Sequence, residues 1–301
     1  MDIALADGGI ETALTDRLGQ DLPEFAAFVL LETEPGRRAL RDYYRPFLEL
    51  AEASGAEIVL DTPTWRANPD WGRLLGYDGA ALDRANADAV RLVREVAAEV
   101  APSAEVTING CVGPRFDDYV AAQRMSAEEA EAYHSPQVAA LAAAGADRVT
   151  SVTTLDAAEA IGVVRAARSA GVPAAVSFTV GADGRLPDGS SLAEGIAAVD
   201  AATGGAAVGF LVNCAHPSEV ARAFSGRDAG SALDRLIGFR LNAARRGEDG
   251  AGDSPEEFAE GVLGLCELAP EARVLGGCCG TDAPHIAAIA AAEAERRSKE
   301  L

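Results

Sequence analysis

The chain has 301 residues, 49% of them apolar, enough to bury one large core without division into domains. Asp and Glu number 47 against 26 Lys and Arg, and the net charge of −21 argues against nucleic acid or an anionic membrane surface as a partner. No run of 18 apolar residues occurs, and Met1-Asp2-Ile3-Ala4-Leu5 lacks the basic start and apolar stretch of a signal peptide, so a cytoplasmic protein is expected.

In chain order, eight short β-like runs alternate with longer helical patterns. The runs are Ile3 to Ala6, Glu57 to Asp61, Glu105 to Ile108, Asp147 to Val152, Ala174 to Phe178, Ala207 to Val212, Leu236 to Phe239 and Arg273 to Leu275. Between them, apolar residues at three- and four-residue spacing predict helices over Ala39 to Ala53, Ala81 to Val100, Ser126 to Ala144, Ala157 to Ala170 and Pro255 to Leu268. Ser126-Ala127-Glu128-Glu129 has the pattern of a capping box, Ser254-Pro255 puts proline at a first helical position, and Asp282 to His285 opens a last helix. Strands alternating with helices imply a parallel sheet, and eight such units in this length suit a single-domain (β/α)8 TIM barrel spanning residues 1–301. A doubly wound open sheet is the alternative. No linker, repeat or low-complexity tract divides the chain, and the Gly- and acid-rich stretch Arg245 to Asp253 reads as a loop excursion.

Barrel chemistry gathers at the C-terminal ends of the strands. Strand one runs into Asp7-Gly8-Gly9-Ile10-Glu11-Thr12, strand two into Thr62-Pro63-Thr64-Trp65, strand six into Asn213-Cys214, strand seven into Arg240-Leu241-Asn242, and strand eight into Gly276-Gly277-Cys278-Cys279-Gly280-Thr281. Cys214 and the Cys278-Cys279 pair thus share one rim. Three thiolates leave one position open on a tetrahedral zinc, the pattern of a metal that acts on a substrate. A reducing compartment and an odd count of five cysteines favour metal over a disulfide framework.

Together these segments resemble the homocysteine S-methyltransferase family, zinc-dependent thiol methyltransferases built on a (β/α)8 barrel. The resemblance rests on Asp7-Gly8-Gly9, Thr62-Pro63-Thr64-Trp65-Arg66-Ala67, Gly110-x-x-Gly113-Pro114, Ser177-Phe178-Thr179-Val180, Asn213-Cys214, Asn242 and the Gly-Gly-Cys-Cys-Gly-Thr element with His285. It implies that Cys214, Cys278 and Cys279 bind Zn2+ and act through it. Asp7, Gly8, Glu11, Thr64, Trp65, Asn213 and Asn242, all at or near these strand ends, are expected to form the substrate pocket. Coordination deprotonates a thiol whose free pKa is near 8.5, giving a nucleophile without a strong base nearby. The expected partners are a small-molecule thiol acceptor and a cationic methyl donor, S-methylmethionine or S-adenosylmethionine, in a monomer or small homo-oligomer. Trp65 and Phe178 are candidates to face the cation.

The fourth strand departs from the family pattern. Relatives end it in Phe-Glu-Thr, whose Glu holds the amino group of homocysteine; here Val152 falls at that place in Asp147-Arg148-Val149-Thr150-Ser151-Val152-Thr153-Thr154. Losing a charge-assisted contact to an ammonium costs about 1.5–3 kcal/mol. Either Asp7, Glu11 or another polar neighbour takes over, or the acceptor lacks that group. Of the remaining cysteines, Cys266 reads as helix packing and Cys111 as packing near the site. His216 reads as a helix cap, His285 as a first-turn residue, and His134 as surface or packing. Two rival readings of the cysteines are a zinc lyase or hydrolase, and a non-catalytic zinc- or thiol-binding protein.

Overall fold

Strands form where short apolar runs are covered on both faces. Val59, Ala175 and Leu211, with Ala4, Ala6 and Val274, make a small buried cluster of their own, while the alternate residues Leu5, Ile58, Leu60, Val176, Phe210 and Val212 join the larger core beneath the helices. In the computed structural model, which describes residues 3–116, 119, 121–225, 231–247 and 252–300, these runs become β1 (Ala4–Ala6), β2 (Glu57–Asp61), β3 (Val106–Val112), β4 (Arg148–Thr154), β5 (Ala174–Phe178), β6 (Phe210–Asn213), β7 (Leu236–Leu241) and β8 (Val274–Gly277). All pair in parallel in sequence order, and β1 closes on β8 through Ala4–Val274 and Leu5–Leu275. The chain is a closed (β/α)8 barrel, and the open-sheet alternative falls.

Helices lie where the 3.6-residue pattern predicts them, over Glu34–Ser54, Gly79–Val100, Ala127–Ala143, Ala157–Ala170 and Pro255–Leu268. Reciprocal capping boxes start two of these at Ser126 and Ser254, because the serine hydroxyl and the glutamate three residues on satisfy amide donors that a helix start leaves open. The same device at Ser191–Glu194 starts Leu192–Thr203, a helix the periodicity alone did not mark. Several strand boundaries moved, two of them for one reason. β3 runs on past Ile108 through Gly110-Cys111-Val112, and β4 continues past Val152 to Thr154; both extensions are held by partners on the adjoining strands. His134 is fully buried rather than superficial, its Nε2 lying 2.9 Å from Glu159 Oε1. Residues 248–251 of the Arg245–Asp253 excursion lie outside the described residues. No helix among the described residues is long and apolar enough to cross a membrane.

Candidate active site

Three cysteine sulfurs meet at the C-terminal rim. The Sγ atoms of Cys214, Cys278 and Cys279 all lie within 4.8 Å of one another, with Cys214 and Cys279 3.9 Å apart. A tetrahedral zinc with Zn–S bonds of about 2.3 Å requires sulfurs about 3.8 Å apart, so the set fits this ion. Each sulfur is placed by backbone shape. Cys214 leaves β6 in the left-handed region at φ 54, a conformation that costs a non-glycine residue about 1–3 kcal/mol and persists only where its surroundings impose it. Here they do: Cys214 N–H donates to the Arg240 carbonyl, and its own carbonyl accepts from Thr179 Oγ1. His216 caps the next turn as expected and also reaches Asp253 with Nε2 at 2.8 Å, tying this segment to the end of the loop after β7.

The sulfurs are surrounded by donors. Asn242 Nδ2 lies 3.9 Å from Cys214 Sγ, Asn213 Nδ2 4.0 Å from Cys278 Sγ, and the Tyr119 hydroxyl 3.5 Å from Cys214 Sγ. Within the cluster, hydrogen bonds from Cys278 and Cys279 hold the Cys214 thiol well below the usual cysteine range, and the same bonds push Cys278 and Cys279 upward. A divalent cation at their centre is the partner that would let all three ionise.

Beside the cysteines a cavity opens into the barrel mouth, lined by the turn after β1, by Phe25, Trp65, Cys111, Tyr119, Val152 and Thr153, and by the triad itself. Its floor is an ion network. The Arg240 guanidinium from β7 bridges the carboxylates of Asp7 and Asp61. Tyr43 donates to Asp7 Oδ2 at 3.2 Å, and Asn109 Nδ2 donates to Asp61 Oδ1 at 2.5 Å. Burial pushes Asp7 up to about 7 against the pull of Arg240. Arg240 is given no role by the sequence pattern, although an arginine inside a barrel strand is itself a signal, since an inward charge needs partners.

The expected pocket residues fall into two groups. Gly8, Glu11, Trp65 and Asn213 line the cavity, whereas Asp7 lies in the floor network, Thr64 is buried behind the wall with its hydroxyl on the Cys111 carbonyl at 2.7 Å, and Asn242 faces the outer side of Cys214. Asn213 is largely spent on positioning: its Oδ1 accepts from Thr153 N at 2.9 Å and Ser177 Oγ at 2.7 Å, and its Nδ2 donates to Thr153 Oγ1. Thr153 has φ 58, so this clamp holds the irregular end of β4 that aims Val152 into the cavity. Phe178 does not face the site; it is fully buried and stacked on Phe210 with ring centroids 6.2 Å apart. Trp65 does, and Gly113 makes its seat possible, because any Cβ there would press into the Trp65 backbone and indole. Cys111 faces the cavity outside the sulfur cluster, and Cys266 packs against a helix turn, its sulfur on the Val262 carbonyl.

A closed parallel barrel with its cavity and a sulfur cluster at the C-terminal ends of the strands has the layout of a (β/α)8 barrel enzyme. The chain belongs to the homocysteine S-methyltransferase family, whose description matches residues 4–292. It is 28% identical to the homocysteine S-methyltransferase of Escherichia coli K12 over an alignment of 316 residues, covering 96% of this chain and 95% of that protein. The metallated form of the E. coli homocysteine methyltransferase MmuM superposes with a TM-score of 0.77 at 25% identity, covering 97% and 96% of the two chains. Its apo form gives 0.69 at 23% identity over the same shares, a likeness of fold. The protein is thus a methyltransferase, which displaces the lyase, hydrolase and non-catalytic readings of its cysteines.

Proposed function

We propose that this enzyme moves a methyl group from a sulfonium donor to a thiol bound at a zinc ion held by Cys214, Cys278 and Cys279, the acceptor being homocysteine or a close relative. The observation that carries this is the convergence of three sulfurs at tetrahedral spacing on the wall of a cavity in the barrel mouth. Held by these three cysteines, zinc would supply one thing, a lowered thiol pKa that would keep the acceptor sulfur ionised at neutral pH. Transfer then forms an S–CH3 bond on the acceptor and breaks the S–CH3 bond of the donor, whose electron pair stays on the donor sulfur as it leaves as a neutral thioether. The acceptor's proton is lost to solvent before transfer.

The protein's own groups orient and shield this exchange. Asn213, Asn242 and Tyr119 offer donors to the cysteine sulfurs and damp their charge, which tunes how electron-rich a fourth sulfur remains. Ile10, Phe25 and Trp65 make the cavity wall apolar, which excludes water from the reacting thiolate. A screen of thiols against S-methylmethionine and S-adenosylmethionine, run beside Cys279→Ala, tests the reading. Zinc and turnover should disappear together in the variant; a metal-free variant that still turns over would end it.

A further inference from the structure

Among the described residues, three charged side chains line the cavity: Glu11, Asp61 and Arg240. Two of them neutralise each other within the floor network that also includes Asp7. Glu11 is different. It projects from the turn after β1 and is partly covered; its carboxylate is held by its own backbone amide, and among the described residues it has neither an ion pair nor a hydrogen bond to another side chain. Arg66 acts on it only at longer range, since that guanidinium is held between the Trp65 and Trp71 rings at 4.4 and 3.6 Å and donates to the Glu24 carbonyl. An ionised carboxylate kept out of water without a cationic partner is costly, and a ligand cation removes that cost.

Position supports the same conclusion. The turn bearing Glu11 is locked to the turn bearing the cysteine pair: a Cβ on Gly9 would press into the Cys278 carbonyl, one on Gly8 would come within 2.8 Å of the Thr281 carbonyl, and Gly280 N–H donates to Thr12 Oγ1 at 3.3 Å. Glu11 and the sulfur cluster are therefore fixed relative to each other in one cavity. Among the described residues the end of β4 offers no rival. β4 presents Val152 and Thr153 there, its other side chains from Arg148 to Thr154 include no acid, and the next carboxylate, Asp156, caps the following helix through Glu159 N–H at 3.0 Å.

Resting on the methyl-transfer reading above, we infer that Glu11 is the specificity-determining residue that binds the ammonium group of an amino-acid thiol, supplied from the β1 turn and not from the end of β4. Thiols of the same length that lack the amino group gain nothing from it.

The test compares L-homocysteine with 4-mercaptobutyrate, which differs by the amino group, on zinc-loaded full-length enzyme and on Glu11→Gln. The expected result is a KM for homocysteine raised 10- to 100-fold in Glu11→Gln, with kcat within a few-fold, zinc content unchanged and the KM for 4-mercaptobutyrate unmoved. Equal KM changes for both thiols, a change confined to the donor, or a wild-type enzyme indifferent to the amino group would each overturn the assignment. If the wild type turns over neither thiol, calorimetric binding of the two thiols to zinc-loaded protein still reads Glu11 separately: a preference for homocysteine lost in Glu11→Gln supports it, and equal binding refutes it.

Discussion

Replacing Arg240 by methionine removes the one cation shared by two buried carboxylates while keeping much of the side-chain volume. Arg240 and Asp61 are each less than a tenth exposed and Asp7 is fully buried, so solvent cannot take over the lost role. Breaking a buried pair by deleting one partner costs about 3–5 kcal/mol. At about 2 °C per kcal/mol for a chain of this size, the Tm should fall by roughly 6–10 °C near pH 8. The sign of the pH dependence follows from Asp7, which burial already holds at about 7 in the intact network. Without Arg240 it rises further. A group whose folded pKa exceeds its unfolded value favours folding below the unfolded pKa and loses that contribution as pH rises through the folded one. The deficit of Arg240→Met should therefore shrink toward pH 5 and widen toward pH 8, and adding Asp7→Asn and Asp61→Asn should recover most of it. Thermal unfolding by circular dichroism, at fixed zinc occupancy, measures this. A loss below 1 kcal/mol, or one that does not change with pH, would refute the buried network as described.

Gly9→Ala adds a methyl where the Cys278 backbone leaves no space, and Thr12 Oγ1 would lie 2.6 Å away. Overpacking of this kind costs about 1–3 kcal/mol and separates the two turns, so zinc affinity by chelator competition should fall at least tenfold. Glu11 is raised from its ordinary 4.5 to about 7, chiefly by burial, so its contribution to stability is complete below pH 4.5 and is lost as pH rises through 7. Urea unfolding of reduced, zinc-free protein should accordingly show Glu11→Gln spared about 1–2 kcal/mol of the decline between pH 5 and 7.5, after allowance for screening of a half-buried group.

Much of the barrel was legible because its strands are buried on both faces and read as short apolar runs, and because serine–glutamate boxes mark helix starts. The cysteine set was legible for a simpler reason: three thiols at the ends of β6 and β8 share one rim in any closed eight-strand barrel. What stayed hidden depended on side-chain direction across long separations. Nothing local reveals that Arg240 reaches Asp7, 233 positions away, or that Asn213 is spent on Thr153. Phe178 was misplaced because a residue at a strand end can face the mouth or the helices, and one position decides between them. Val152 was readable as a missing charge, but only the packing of the β1 turn against Cys278 shows where another carboxylate stands.

The central claim is that the substrate thiol becomes the fourth sulfur on a zinc held by Cys214, Cys278 and Cys279. Zinc X-ray absorption of the purified enzyme, recorded before and after addition of L-homocysteine, addresses it directly. The account predicts three sulfur ligands and one lighter ligand becoming four sulfurs at about 2.3 Å. An unchanged sulfur count in the presence of a thiol that the enzyme methylates would contradict it.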